Sequence, residues 1–168
     1  KSAGAVLGKQ TVINYVGYMM DSYMLFTLQN YAAKLVEKET SPKYYFMDTG
    51  LLGLMLMDCS SAQLENLVAI ELIRRYGREN VFYFEKNVEI DFYVPEEKLA
   101  IQVSLQVLDQ IDTREREIGA FVKLKNFIGD ATCLLITNSE EEELDYEGVH
   151  VSVVPVWKWL LQNRKQDI

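Results

Sequence analysis

The chain is poor in the residues that most metal and redox chemistry uses. It has one histidine, two cysteines and three prolines among its 168 residues. It also lacks any apolar run near the roughly 18 residues that a membrane helix requires. The lone histidine, His150, sits in a β-like run from Val149 to Val154 with no partner at ligand spacing, so it reads as a strand residue. Cys59 and Cys133 lack CxxC spacing and stand among apolar or small residues. They read as reduced packing residues, and the chain as cytoplasmic in character with no membrane contact. The short apolar patch between Lys1 and Lys9 is too short for a signal-peptide core. With Lys1 in the first position, the chain reads as a piece of a longer protein.

Positive charge is also scarce. Seventeen Lys and Arg face twenty-five Asp and Glu, a net charge of −8. That argues against a broad nucleic-acid surface, which needs clustered cations to neutralise phosphates. Residues 1–50 carry +1 and residues 51–168 carry −9. Any nucleic-acid contact by the second part must be local or bridged by divalent cations. A phosphate loop is missing too: in GKQT, Gly8 to Thr11, only three residues separate Gly4 from Gly8 and no strand precedes them. No part of this chain is expected to bind ATP.

What the chain does have is apolar residues, 49 % of the total, with ten tyrosines and seven phenylalanines. That suits one domain, or one domain plus part of another. Lys9 to Met20 reads as a helix, with Val12, Tyr15, Val16 and Met19 on one face. Tyr23 to Tyr31 and Lys43 to Asp48 read as strands joined by a polar turn, Ala33 to Lys43. A helix followed by such a hairpin matches the second half of a winged helix, so residues 1–50 are expected to form a partial winged-helix segment. Residues 51–168 are expected to form an α/β domain. Ser60 and Gln63 form a capping-box pair that opens a helix through about Tyr76, ended by Gly77. Strands follow at Val81–Glu85, Val88–Val94 and Lys98–Leu105. A helix opens at Asp112 and Glu115 and stops at Gly129. Ala131–Thr137 has the continuous apolar pattern of a strand buried on both faces. Glu140 to Glu143 reads as a solvated loop, Val149–Val154 as a last strand, and Pro155 as the start of a closing helix with Trp157 and Trp159. The result is a mixed sheet flanked by helices.

Period-2 alternation gives the sharpest local expectation. In VEIDFYV, Val88, Ile90, Phe92 and Val94 share a face, with Glu89, Asp91 and Tyr93 opposite. In KLAIQVSL, Leu99, Ile101, Val103 and Leu105 share a face, with Gln102, Ser104 and Gln106 opposite. A turn at Pro95–Lys98 then pairs residues whose numbers sum to 193, setting Asp91 against Gln102 and Glu89 against Ser104. Opposed side chains lie roughly 5 Å apart at Cβ. This alternation fits a plain wet face. It also fits a hard-oxygen site of the kind Mg²⁺ takes, because charges at strand centres are costly where helices cover both faces.

The helical Glu65 in LENLVAIEL, then EIDFYV, then AIQVS, resembles the PD-(D/E)XK nuclease fold, a restriction-endonuclease-like mixed sheet. More narrowly, YYFMDTGLLGL, LENLVAIELIRR, EIDFYV and the closing VPVWKWLL resemble a C-terminal domain that follows an AAA+-type ATPase module and a winged helix (the domain of unknown function 4143 family). The resemblance covers almost the whole chain. It implies a helical acid at Glu65, a strand acid at Asp91 and a third metal-ligand position at Gln102, with Mg²⁺ as the metal. The position of the family's catalytic lysine is taken by Ser104, which has neither the charge to stabilise a pentavalent phosphate nor useful basicity. Lys86 reads as a solvated turn residue. Glu71 lies about 240° around the helix from Glu65 and cannot share its metal. Glu65 also reads as an N-terminal helix acid favoured by the helix dipole.

Three functions follow as expectations. The first is a degenerate nuclease-like accessory domain that binds DNA or a partner without hydrolysis, beside its own ATPase module, where ATP would bind. The second is a Mg²⁺-dependent nuclease using Glu65, Asp91 and Gln102 with a lysine borrowed from elsewhere. The third is a protein–protein or homo-oligomerisation module, with Tyr44 and Tyr45 as candidate anchors.

Overall fold

The computed structural model describes residues 8–34, 41–55, 60–108 and 111–162. The patch at the extreme N-terminus, most of the polar turn after Ala33 and Cys59 lie outside them. The described elements are α1 (Lys9–Asp21), β1 (Leu25–Asn30), β2 (Lys43–Phe46), α2 (Gly50–Met55), α3 (Ser60–Tyr76), β3 (Phe82–Glu85), β4 (Glu89–Val94), β5 (Leu99–Val103), α4 (Ile111–Ile128), β6 (Thr132–Thr137), β7 (Glu142–Tyr146), β8 (Val149–Pro155) and α5 (Val156–Gln162). The strands form one eight-stranded mixed sheet in the order β2-β1-β3-β4-β5-β6-β8-β7.

Two apolar layers cover the sheet. On one face α3 and α5 pack over Phe26, Leu28, Phe92, Val94, Ile101 and Val103. On the other, Ile118, Phe121 and Leu124 of α4 pack over Ile90, Ala100, Cys133 and Leu135. α3 forms here because Leu64, Val68, Ala69 and Leu72 recur at helical spacing and are all buried. Arg74 and Arg75 sit in its last turn, complementing the helix dipole, and Gly77 stops it at φ 81°. Arg75 then stacks on the Trp159 ring at 4.1 Å and donates to the Trp159 carbonyl, tying α5 to α3. β6 lies between parallel β5 and β8, as its apolar run requires.

Three sequence readings change. Glu142 and Glu143 belong to β7, an edge strand paired antiparallel with β8, rather than to a loop. Charge on an outer strand discourages pairing with other chains, so a charged segment is compatible with a strand there. Pro155 ends β8 rather than opening α5. The alternation of β4 is broken: between β3 and β4 the pairs are Phe82↔Tyr93 and Phe84↔Ile90. Asp91 and Phe92 therefore both stand against Tyr83, a β-bulge, and Ile90 and Phe92 fall on opposite faces.

The N-terminal hairpin joins the same sheet. β1 pairs with β2 from Leu25↔Phe46 to Leu28↔Lys43, and with β3 only at Gln29↔Phe82 and Asn30↔Tyr83. Beyond this short junction the hairpin packs against α3 and β4: Tyr45 donates to Glu65, and its ring is 5.7 Å from that of Phe92. Asn66, buried on α3, clamps it there. Its Oδ1 accepts from the Phe46 N–H (2.7 Å), and its Nδ2 donates to the Phe46 carbonyl (3.0 Å) and to Thr49 Oγ1 (3.2 Å). No described helix is long and apolar enough to cross a membrane.

Replacing Asn66 by alanine strands both backbone groups of Phe46. Urea denaturation should show a loss of about 2–4 kcal/mol, from up to three bonds at roughly 1 kcal/mol each plus desolvation of the orphaned groups. A loss below about 0.5 kcal/mol would mean that the hairpin is not held through this clamp.

Candidate functional site

Asp91 is where β4 and β5 part. The hairpin register is the expected one, Val94↔Leu99, Tyr93↔Ala100 and Phe92↔Ile101. Beyond Phe92 the backbone ladder gives way to side chains. The Asp91 N–H donates to Gln102 Oε1 (2.8 Å), Gln102 Nε2 donates to the Glu89 carbonyl (3.2 Å), and the Val103 N–H donates to Asp91 Oδ2 (2.9 Å). A carboxylate and an amide thus fill the gap the bulge opens, and Asp91 and Gln102 are neighbours as the register implies.

The gap opens into a cleft of about 470 Å³ lined by Lys43, Ser61, Glu65, Glu89, Asp91, Gln102 and the first half of α4, including Arg116 and Glu117. Glu65, in the first turns of α3, accepts from the Tyr45 hydroxyl at 2.8 Å. Ser104 lies just past β5, buried, with its hydroxyl donating to the Gln106 carbonyl at 3.2 Å. The structure therefore brings Glu65, Asp91 and Gln102 to one cleft and points Ser104 back to its own loop. Glu71 is elsewhere, in ion pairs with Arg74 and Arg75. Lys86 lies over the Phe127 ring.

Sequence reasoning missed four residues here. Lys43, from β2, puts its ammonium 2.6 Å from Glu89 Oε1 and 3.8 Å from Asp91 Oδ1. Tyr45 is its period-2 neighbour, buried rather than an exposed anchor, whereas Tyr44 between them is half exposed. That shared parity in KYYF was the available signal. Glu89, read only as a partner of Ser104, is the principal partner of Lys43. Glu117 is buried on α4 and paired with Arg116 at 2.5 Å. It stands four and seven residues before the core residues Phe121 and Leu124, on the same helical stripe.

The electrostatics follow from this crowding. Burial pushes the Asp91 carboxyl up to about 7, the repulsion of Glu65 adds to it, and Lys43 and the Val103 N–H oppose it. Burial also raises the Tyr45 hydroxyl well above its usual range, helped by the Glu65 charge. Lys43 is drawn down by burial, but its bond to Glu89 and the charges of Asp91 and Glu65 outweigh this, so it stays protonated. Cys133 is a buried free thiol pushed up to about 11 by desolvation, which suits packing rather than reactivity. His150 is an exposed strand residue between Asp145 and Glu143.

A Mg²⁺ centre does not fit the donors as arranged. The Gln102 amide oxygen serves the Asp91 N–H, Glu65 serves Tyr45, and an ammonium already faces Asp91. Among the described residues no group of three or more His, Cys, Asp or Glu side chains is disposed to hold a metal.

A family model described as a domain of unknown function (DUF8612) matches residues 2–63, a stretch that takes in α1 and ends in the first turn of α3. The chain is 32 % identical over 171 aligned residues to the Uncharacterized protein MJ1544 of Methanocaldococcus jannaschii, covering 96 % of this chain and 38 % of that protein. The chain thus spans well under half the length of that relative. No solved structure matches it.

The Asp91 environment sets a pH dependence. In the unfolded chain its carboxyl titrates near the usual 3.8, and in the folded one near 7. Between those values the folded state keeps a proton that the unfolded state has released, so Asp91 makes stability fall as pH rises. Asp91→Asn removes that contribution while its amide oxygen can still accept from Val103. Chemical denaturation of both proteins should show the stability of the wild type relative to the variant declining from about pH 4 to pH 7. A flat or rising difference would contradict the assignment.

Proposed function

We propose that this chain is the C-terminal accessory domain of a longer AAA+-type ATPase, a degenerate nuclease-like module that binds DNA or a protein partner without cutting. The carrying observation is that the third ligand position and the lysine position of the nuclease pattern are both spent on the domain's own backbone, Gln102 on Asp91 and Glu89, Ser104 on Gln106. Neither is presented to a phosphate. The arrangement around them supports a restriction-endonuclease-like reading: a helix, three antiparallel strands, a helix and a strand parallel to the third, with the acids of α3 and β4 in one cleft. The helix–hairpin unit α1-β1-β2 is in keeping with part of a winged helix.

One observation favours the hydrolytic alternative, because Lys43 is a lysine brought to Asp91 from outside the motif. Its ammonium is engaged by Glu89 and Asp91 rather than held free beside them. Protein contact is favoured at α1: none of its residues is buried, and it exposes Val12, Ile13, Tyr15 and Tyr18. An apolar face on an acidic chain suits the ATPase module or a second copy better than a phosphate backbone.

Plasmid, single-stranded DNA and RNA incubated with the protein in Mg²⁺ or Mn²⁺ should stay intact, with wild type and Asp91→Ala indistinguishable. Metal-dependent cleavage by the wild type that Asp91→Ala abolishes would overturn the non-hydrolytic reading.

A further inference from the structure

We infer that Lys43 is the resident cation of the acidic cleft: its ammonium engages Glu89 and Asp91 in an arrangement that leaves no three acids among the described residues disposed to hold a divalent ion, and only its loss would free them to close on one. The inference deepens the proposed function and rests on its reading of the cleft as a nuclease-like site.

The geometry carries it. Three carboxylates from α3 and β4 line one cleft, and of its two lysines, Lys43 and Lys123, it is Lys43 that is ion-paired with Glu89 and Asp91, while Arg116 pairs with Glu117. Lys43 Nζ is 2.6 Å from Glu89 and 3.8 Å from Asp91, and 5.3 Å from the centre of the Tyr83 ring, whose face also favours a cation. A protonated amine has three donors and no lone pair, so it can satisfy carboxylates but cannot ligate a metal. An ion entering among these oxygens would meet a like charge within a few ångströms. The repulsion between like charges at such a distance is substantial near a protein surface, and a divalent ion doubles it. Both cations cannot be held at once, so Lys43 must leave or the metal stays out.

Lys43 is also fixed in place. It opens β2, where it pairs with Leu28, and the next residue of the same parity, Tyr45, is buried against Phe26 and Phe92 and hydrogen-bonded to Glu65. The hairpin that delivers the ammonium is clamped by Asn66 on the helix that carries Glu65. Displacing the amine would therefore work against a packed strand rather than a free surface side chain.

The test is calorimetric titration of Mn²⁺ into the wild type, Lys43→Met and the Lys43→Met/Asp91→Asn double variant, each checked for folding by circular dichroism. Methionine keeps the length of the stem and removes the charge. The variant should bind Mn²⁺ saturably and about tenfold or more tighter than the wild type, and the double variant should lose that gain. Millimolar MnCl₂ should also raise the melting temperature of Lys43→Met and leave that of the wild type unchanged. Lys43→Gln, shorter and still able to hydrogen-bond Glu89, gives the same comparison should the methionine variant not fold. A charge-removing variant that binds Mn²⁺ no tighter than the wild type overturns the inference. Metal binding is read without any substrate, so this failure is distinct from failure of the nuclease-like reading, which DNA cleavage by the wild type would signal.

Discussion

A half-buried carboxylate where two strands separate is the constraint on which the rest of this structure turns. Asp91 stands in a bulge of β4, and the ladder between β4 and β5 continues past it only because its own side chain and that of Gln102 replace backbone partners. Bulges concentrate where a strand must re-aim a side chain. Here the bulge turns an acid off the sheet surface into the seam, where its charge is expensive. Three features answer that cost, against the repulsion of Glu65: a backbone N–H from Val103, an ammonium from Lys43, and a carboxyl that holds its proton toward neutrality.

The cost is met from far along the chain. Lys43 and Tyr45 belong to a hairpin that pairs with the core sheet through just two residues of β1. What keeps the hairpin over the site is the Asn66 clamp, together with Tyr45 lying between Phe26 and Phe92. The same α3 that carries Glu65 thus carries the anchor for the strand that balances it. Glu65 and Asn66 are consecutive, so one points to the Tyr45 hydroxyl and the other to the Phe46 backbone, and a single helical turn organises both sides of the cleft.

Much of this was legible in the sequence. The turn at Pro95–Lys98 and the alternation of β5 pinned the β4–β5 register, because a one-residue slip would have turned an apolar face outward. The stops at Gly77 and Gly129 follow from glycines at positive φ. The bulge was not legible, because VEIDFYV reads equally well as a regular strand and the extra residue is set by pairing with β3. Nor was the role of Lys43 legible, since it depends on how a hairpin folds back across strands remote in sequence. β7 was hidden by its charge, which on an outer strand is protection rather than evidence of a loop. Within the preceding acidic run, Glu140 is a partner of the Val107 and Leu108 N–H groups after β5, at 2.6 and 3.2 Å.

This dependence bears on how the chain divides. A boundary near residue 50 is natural on composition, since the charge changes sign there. Electrostatically it falls in the wrong place for two independent units, because the acids on one side have their cation on the other. Removing the hairpin would leave Glu89 and Asp91 without an ammonium, Glu65 without its hydroxyl donor and the α3 face of Phe92 uncovered. Taking away one partner of a partly buried ion pair costs more than the pair contributes, because the remaining charge keeps its desolvation penalty. The hairpin is therefore an electrostatic component of the acidic cleft as well as the edge of its sheet.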